Sequence, residues 1–282
     1  MAPDEPPRYA GLWAFGIENI AMQESAGREV PASCAVAVMA KASVAGRSKT
    51  RLVPPLSAEE AAELNTAFLR DAADNLLAAS ALANISGWMA YAPAGSEAFF
   101  GSNLPPGIGL VETVAPDLGA CLLRAADTLL GKGHSAACLV NSDSPTLPVG
   151  YIVAAATALA APGDRVVLGP ATDGGYYLIG MKHSHRALFR DIDWSTERVL
   201  RQTLARADAL GLAVVMLPSW YDVDDALSLR RVLGELFEDK PFRRVGRVPT
   251  PATSTRTQLA ALLESRDLAR RLGRPETASC VA

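Results

Sequence analysis

The sequence predicts an α/β protein in which a mostly parallel β-sheet lies between two layers of helices. Short apolar runs alternate along the chain with longer segments of helical periodicity, which is the pattern of strands joined by crossover helices. Capping residues and glycines bound several of these helical segments. With 282 residues, 49% of them hydrophobic, the chain is long enough to bury one substantial core. We therefore expect one three-layer domain with terminal extensions.

The domain begins with a strand and a capped helix. SCAVAVMA, at residues 33–40, is a run of small and branched apolar residues that predicts a buried strand. A polar segment follows it, and a long amphipathic helix begins after Ser57, which has Glu60 in capping-box spacing. GWMAYAP, at residues 87–93, predicts the second strand.

The alternation continues through the middle of the chain. Residues 116–133 predict a helix closed by glycine, and residues 135–140 predict a strand. Residues 150–163 predict the next helix. Two further apolar runs, at 165–171 and 176–181, predict strands on either side of a glycine-rich turn.

The last elements of the domain are a helix, a strand and a helix. Residues 195–211 predict a helix capped by Ser195, and residues 212–218 predict a strand. Residues 224–239 predict a helix that opens with aspartate, which suits the positive end of the helix dipole. The arginine-rich tail at 240–282 contains one more helical pattern, QLAALLESRDLARRLG, and we expect its charges to form a solvated face.

The chain accordingly divides into an N-terminal extension at 1–33, an α/β domain at 34–239 and a C-terminal helical extension at 240–282. The N-terminus is acidic and proline-rich and lacks the apolar stretch of a signal peptide. No run reaches the roughly 18 apolar residues that a membrane span needs. These observations predict a cytoplasmic protein without a membrane partner.

Charge and cysteine content exclude several classes of partner and cofactor. The net charge of −3 gives no broad basic surface, so we do not expect nucleic acid as a partner. The four cysteines show no CxxC spacing, which argues against a zinc site or a disulfide framework. Any bound anion must therefore be held by a local cluster of donors.

One such cluster follows the first predicted strand. Lys41, Arg47, Lys49 and Arg51 lie within a short segment, and Gly46 would let the backbone approach a ligand closely. Cations placed this close repel one another unless an anion lies between them, and guanidinium groups match phosphate oxygens. The segment lacks the glycine spacing of a Walker A loop. It predicts a phosphate-binding loop, with a solvated basic loop as the alternative.

A carboxylate follows a second strand, in the stretch NSDSPTLP at 141–148. Asp143 comes directly after the apolar run, and Pro145 and Pro148 stiffen the chain beyond it. One carboxylate with neighbouring hydroxyl groups suits Mg²⁺, which takes few protein carboxylates and completes its shell with water and phosphate oxygens. The alternative is an Asx-turn that caps the helix beginning near residue 150.

Two further segments place polar residues after strands. In GPATDGGYYLIGM, Asp173, Gly174 and Gly175 form a strong turn signal, and taken alone they are better explained by a hairpin than by a binding site. Tyr176 and Tyr177 alternate faces of the following strand, so one of them can reach a pocket.

The segment WYDVDDALSL brings three carboxylates together where a helix begins. Asp222, Asp224 and Asp225 cannot all cap that helix, and one of them could share a divalent cation with Asp143. By contrast, His183 and His185 have no third ligand of matching type nearby, so we expect a surface loop there. The GxSxG pattern of a serine nucleophile is absent.

Taken in order, these segments resemble a known family. AKxxxxGRSKTRL, SDSPTLP, GPATDGGYYLIG, DWSTERVL and DVDD occur in the order found in the radical-SAM/selenodomain-associated transferases, over about residues 34–235. That family is a branch of the GT-A nucleotide-diphospho-sugar transferase superfamily and is similar to the phospholactate and molybdenum-cofactor guanylyltransferases. The sequence differs from the usual pattern at Ser43, Ala45, Asn141, Asp225 and Ala226, but every ligand position is retained.

The resemblance implies a GT-A-like, Rossmann-like fold and a role for each motif. Lys49 and Arg51 would hold a nucleotide triphosphate, and Asp143 and Asp224 would bind Mg²⁺ or Mn²⁺. Lys41, Gly46 and Arg47 belong to the same phosphate loop. The acceptor side would be lined by Asp173, Gly174, Gly175, Tyr176, Trp194, Ser195 and Thr196.

Three functions are compatible with these residues. The first is a metal-dependent nucleotidyltransferase that moves an NMP from an NTP to a small phosphorylated substrate, such as a sugar 1-phosphate, with release of pyrophosphate. The cation cluster favours it, because a triphosphate carries more charge than an NDP-sugar. The second is a glycosyltransferase with an NDP-sugar donor, and the third is a non-catalytic nucleotide-binding partner of another enzyme. The terminal extensions would pack either on the core or on a second subunit, as in a homodimer.

Overall fold

A seven-stranded sheet forms the centre of the described chain. The computed structural model describes residues 33–242, 248–265 and 267–273, so the predicted N-terminal extension lies outside the described residues except for Ser33. Within those ranges the strands are β1 (Cys34–Lys41), β2 (Ile85–Ala92), β3 (Gly109–Glu112), β4 (Ala136–Asn141), β5 (Arg165–Pro170), β6 (Tyr176–Met181) and β7 (Ala213–Met216).

The sheet is mostly parallel, as the sequence predicts. Its strand order is β3-β2-β1-β4-β6-β5-β7. Strand β6 runs antiparallel to both of its neighbours, β4 and β5, because a tight turn rather than a helix connects it to β5. The other paired strands run parallel. The carboxyl ends of β1, β2, β4, β5 and β7 therefore meet at one edge of the sheet.

Helices cover both faces of the sheet and complete the three layers. In chain order they are α1 (Ala58–Ser80), α2 (Glu97–Asn103), α3 (Leu118–Gly131), α4 (Val149–Ala160), α5 (Val199–Ala209), α6 (Ala226–Phe237), α7 (Thr253–Ser265) and α8 (Leu268–Arg271). Buried side chains of α1, α4 and α6 form one apolar cluster with one face of the sheet. Those of α3 and α5 form a second cluster with the other face. Alternate residues of β1 enter the two clusters, as the period of a strand requires.

Among the described helices, none combines the length and the apolar character needed to cross a membrane.

Two local predictions of helix boundaries are confirmed. Ser57 caps α1 by accepting a hydrogen bond from the backbone N–H of Glu60, whose side chain accepts in return from Ser57 N–H. Gly133 follows α3 with a positive φ of 93°, a conformation that glycine adopts without a steric penalty.

The predicted cap of α5 is wrong. That helix begins at Val199 after an Arg198 cap that makes no side-chain hydrogen bond, and Ser195 lies one turn earlier with a positive φ of 62°. Sequence reasoning also missed α2 and the edge strand β3, which are too short for a periodic signal to emerge. Cys34 and Cys138, which lie inside apolar strands, are buried and reduced.

The C-terminal extension is bound to the domain by several hydrogen bonds and does not only form a solvated face. Arg271 of α8 donates a hydrogen bond to a carboxylate oxygen of Glu60 at 2.7 Å and another to the carbonyl oxygen of Pro55. Asp71 of α1 accepts hydrogen bonds from the backbone N–H groups of Ser254 and Thr255, each at 2.8 Å. A buried carboxylate of one helix thus caps the first turn of another.

Replacing Asp71 by alanine is expected to lower the free energy of unfolding by about 2 kcal/mol, at the upper end for a lost helix cap. The reason is that the two N–H groups in the first turn of α7, one of them buried, lose their acceptor. Chemical denaturation measures the loss, and Asp74→Ala is the matched control because Asp74 is an exposed carboxylate on the same helix. An equal loss in both variants would refute the capping role.

Candidate active site

The candidate site lies at the edge of the sheet where the parallel strands end. From β1 the chain continues to β2 and β3, which lie on one side of β1, and then crosses to β4 on its other side. The direction in which successive strands are added to the sheet therefore reverses between β1 and β4. In open α/β sheets, ligands bind outside the carboxyl ends of the strands at such a reversal. The segments after β1 and β4 are the ones that carry Lys49 and Asp143.

Lys49 joins the two predicted metal ligands. Its Nζ lies 2.8 Å from Oδ1 of Asp143 and 3.0 Å from Oδ1 of Asp224, and it donates a third hydrogen bond of 2.9 Å to the carbonyl oxygen of Val223. The side chain is 6% exposed and packs over the ring of Phe68, with Nζ 5.2 Å from the ring centroid. Asp143 and Asp224, which lie 94 and 175 positions after Lys49 in the sequence, therefore both contact its ammonium group.

Asp143 is held as a carboxylate. Burial by itself raises the pKa of Asp143, but the ammonium of Lys49 and a hydrogen bond from the Ser142 hydroxyl outweigh burial and keep the pKa below its ordinary value. The Asx-turn alternative is not what the structure has, because α4 begins after Pro148 without any side-chain cap. The side chain of Asp143 remains 30% exposed, so it is open to a ligand.

Asp224 and Asp225 take different roles at the start of α6. Asp225 is the N-cap and accepts a hydrogen bond from the backbone N–H of Ser228. Asp224 instead turns toward the site, where its Oδ2 pairs with the guanidinium of Arg51. The aspartate predicted to open this helix is therefore Asp225, which leaves Asp224 free to act in the site.

The segment after Asp143 is fixed by neighbours from distant parts of the chain. Ser144 donates a hydrogen bond to the carbonyl oxygen of Tyr221, and Val223 N–H donates to the carbonyl oxygen of Asp143 at 2.8 Å. Thr250 of the C-terminal extension donates to the carbonyl oxygen of Leu147 at 3.1 Å. The loop that presents Asp143 is thus held by the loop that presents Asp224 and by the tail.

Asp222 is a site residue that sequence reasoning named only as one of three acids that could share a cation with Asp143. Burial, together with the negative charges of Asp173, Asp224 and Asp143, raises its pKa to about 7. The pKa shift means that four carboxylates share one electrostatic environment. The available signal was the acidic run DVDD, but that run does not reveal which carboxylate faces the others.

The two predicted acceptor motifs lie against each other. Asp173 accepts a hydrogen bond from Gly175 N–H at 2.9 Å, which closes the turn between β5 and β6 as the hairpin interpretation requires. Gly174 has a positive φ of 91° and packs against the backbone of Glu197, next to the WST motif. Leu200 N–H donates to the carbonyl oxygen of Gly174 at 2.9 Å.

The aromatic and hydroxyl residues of these motifs are mainly structural in their described contacts. Trp194 packs its indole ring directly over Gly119 of α3, where a Cβ atom would lie 2.8 Å from the ring. Thr196 donates its hydroxyl to the carbonyl oxygen of Asp193, while Ser195 is exposed. Burial raises the pKa of the Tyr176 hydroxyl, with the hydroxyl of Thr203 opposing the shift. Tyr177 points into the opposite cluster and donates to the carbonyl oxygen of Pro218.

The remaining predicted phosphate ligands, Lys41, Gly46 and Arg47, do not join the ion pairs of the site. Lys41, Gly46 and Arg47 are exposed, and the loop folds on itself through hydrogen bonds between Val44 and Ser48. Arg51 is also mostly exposed, at 71% of its side chain. The cation cluster thus divides into one buried lysine and three side chains that face solvent.

The histidine pair lies away from this site. His185 Nε2 is 2.9 Å from Oδ2 of Asp164, which precedes β5 at the opposite edge of the sheet. No group of three or more histidine, cysteine or acidic side chains is arranged as a ready-made metal site anywhere in residues 33–242, 248–265 and 267–273.

Comparison with known proteins supports the fold. The sequence profile of a family described as an uncharacterized protein conserved in bacteria (DUF2064) matches residues 72–196, which is less than half of the chain. A crystal structure from Desulfovibrio desulfuricans G20 is 28% identical, covers 86% of this chain and 98% of that one, and superposes with a TM-score of 0.71. Its name provisionally assigns it to the nucleotide-diphospho-sugar transferases. The expected GT-A-like, three-layer α/β fold is therefore confirmed.

More distant structures have lower similarity. A cytidylyltransferase from Leptospira borgpetersenii serovar Hardjo-bovis (strain JB197) is 11% identical with a TM-score of 0.47, and covers 84% of this chain and 96% of that one. A CMP:2-keto-3-deoxy-manno-octonic acid synthetase complexed with CTP has the same identity and TM-score, and covers 74% of this chain and 100% of that one. No curated protein matches the sequence significantly.

Proposed function

We propose that this protein is a metal-dependent nucleotidyltransferase that transfers an NMP from an NTP to a small phosphorylated substrate, such as a sugar 1-phosphate, and releases pyrophosphate. The observation that carries the proposal is the meeting of Asp143 and Asp224 with Lys49 and Arg51 at the reversal of strand order. Carboxylates and cations at that position match the two needs of a polyphosphate substrate, which are a divalent cation and donors to phosphate oxygens.

The donor set fits Mg²⁺ or Mn²⁺. Asp143 and Asp224 offer the hard carboxylate oxygens that these ions prefer. Burial and the negative charges of Asp173, Asp224 and Asp143 raise the pKa of Asp222, so a cation placed among these carboxylates would be stabilised. Mg²⁺ is usually bound by one or two protein carboxylates, and water and phosphate oxygens fill its remaining positions. Bound there, the ion would neutralise charge on the phosphate oxygens.

The residues of this chain would act by position and charge. The exposed guanidinium of Arg51, with Lys41 and Arg47 in the same segment, would donate to the oxygens of the departing pyrophosphate. The turn that carries Asp173 and Gly174 would orient the acceptor. The attacking phosphate oxygen is already an anion, so it forms its bond to the α-phosphorus without a general base. This agrees with a described site that contains no histidine.

The relative from Desulfovibrio desulfuricans G20 keeps a second candidate open. If this chain acts as that protein's name states, a GT-A glycosyltransferase would bind an NDP-sugar and transfer the sugar to an acceptor. The metal and Asp143 would then hold the diphosphate that leaves. We favour the NTP because three solvent-facing cations, Lys41, Arg47 and Arg51, would match a triphosphate better than a diphosphate ester.

Thermal unfolding with a panel of nucleotides tests the proposal. We expect one NTP with Mg²⁺ to raise the melting temperature by several degrees, since a ligand at a hundredfold its Kd stabilises by about 2.7 kcal/mol. The same NTP without the metal should shift it less. A preference for an NDP-sugar would replace the proposal by glycosyl transfer, and no shift with any nucleotide would contradict both functions.

A further inference from the structure

The buried lysine of the site has no donor left for a phosphate. An ammonium group carries three N–H donors. Those of Lys49 point to Asp143, Asp224 and the carbonyl oxygen of Val223, at 2.8 to 3.0 Å. With 6% of its side chain exposed, Lys49 is also withdrawn from solvent. A nucleotide that arrived in this arrangement would find Arg51 available but not Lys49.

The backbone holds Lys49 in this position. Its φ of 50° and ψ of 41° lie in the left-handed region, which non-glycine residues adopt at a cost. Such a conformation persists only where surrounding contacts fix it. The contacts here are the two carboxylates, the Val223 carbonyl and the ring of Phe68.

The ammonium group and a divalent cation compete for the same two carboxylates. Oδ1 of Asp143 and Oδ1 of Asp224 both face Nζ, and Oδ2 of Asp224 is paired with Arg51. A divalent ion bound by both carboxylates would approach Nζ closely, and like charges at that separation repel strongly in a partly buried site. The ion and Lys49 therefore cannot both keep full contact with the pair.

A polyphosphate resolves this conflict. It brings its own anionic oxygens, so the ammonium can exchange two carboxylates for phosphate oxygens without being left unpaired. The metal then gains the carboxylates that Lys49 releases. Without a polyphosphate, displacement of Lys49 would leave a charge with no partner in a site that excludes water from it.

We propose that Lys49 is a positioning residue that serves as an internal counter-cation: it holds Asp143 and Asp224 together in the nucleotide-free protein and competes with the divalent cation for them. The metal consequently binds weakly before the nucleotide and tightly with it. The identity of the nucleotide rests on the function proposed above, but the competition itself does not, since it concerns only the chain and the metal ion.

Manganese binding to the nucleotide-free protein tests the competition directly. Electron paramagnetic resonance of free Mn²⁺ gives the affinity of the unaltered protein and of Lys49→Met, which keeps the length of the side chain without its charge. We expect Lys49→Met to bind Mn²⁺ about tenfold more tightly or better, the size of a typical coupling between two ligands. Arg51→Met is the matched control, since it removes one positive charge from the same carboxylate pair while leaving Nζ in place.

The two variants distinguish the effect of Nζ occupying the carboxylate oxygens from the effect of removing one positive charge near the carboxylates. A gain in Lys49→Met that clearly exceeds the gain in Arg51→Met supports the proposal, whereas equal gains or weaker binding overturn it. If Lys49→Met does not fold, acetylation of Lys49 in the unaltered protein replaces the measurement: saturating Mn²⁺ should speed the modification, and an unchanged rate overturns the proposal. Since no nucleotide is used, a protein that failed to bind NTP would still give a clear answer.

Discussion

Replacing Asp143 by asparagine is expected to lower kcat for nucleotidyl transfer by about 10²–10³-fold, the loss that follows removal of one charge-stabilising group from an active site. Asparagine preserves the size of the side chain but removes the negative charge that would hold the metal. Lys49 keeps its contact with Asp224, so the fold should survive with a modest decrease in melting temperature. Pyrophosphate release under saturating NTP and Mg²⁺ measures the effect.

The matched control is Asp164→Asn. Asp164 is also an aspartate that contacts a nitrogen-bearing side chain, with Oδ2 2.9 Å from Nε2 of His185, but it lies at the other edge of the sheet. We expect it to retain the turnover of the unaltered protein. If Asp143→Asn were as active as this control, Asp143 would be a structural residue of its loop and the proposed chemistry would be wrong.

Replacing Gly174 by alanine is expected to reduce the free energy of unfolding by about 2–4 kcal/mol, combining the penalty of a left-handed backbone with that of overpacking. At the φ of 91° that Gly174 adopts, an added Cβ would lie 2.6 Å from the Cα of Glu197. The obstacle is backbone, which cannot rotate away as a side chain can. The turn bearing Asp173 must then move away from the WST segment, so turnover should fall as well.

Gly133→Ala separates the two contributions. Gly133 has a nearly identical φ of 93°, but a Cβ there would meet no atom within 4 Å. We expect it to lose only the conformational part, about 1 kcal/mol. Denaturant unfolding of both variants gives the difference, and similar losses would show that the contact between Gly174 and Glu197 contributes little.

Features that depend on neighbours in the sequence could be predicted from the sequence itself. The capping box at Ser57 and Glu60 and the glycine that ends α3 were found because their partners lie within a single helical turn. The strands other than β3 could be predicted from apolar runs because a buried strand needs no distant information to be recognised. The fold class follows from their alternation, and the structure confirms it.

Where a local sequence signal is weak, or where several neighbouring residues give the same signal, the sequence left a boundary open or predicted it wrongly. Ser195 has the composition of a helix cap, but it adopts a left-handed backbone and α5 begins at Val199. The run at 222–225 offers several acids to one helix, and only the path of the chain into α6 shows that Asp225 is the cap. Short edge elements such as β3 have too few residues to show a period.

By itself, the sequence determined the fold class, the order of the longer elements and the segments in which polar residues follow strands. Only the tertiary structure decided that Lys49 lies buried between Asp143 and Asp224, that Asp222 shares their electrostatic environment, and that the tail helps to hold the loop of Asp143. The physical reason is one of range. Caps and strand periods are set by contacts a few residues apart, whereas the charge balance of this site depends on side chains from segments far apart in the sequence that meet only once the sheet has formed.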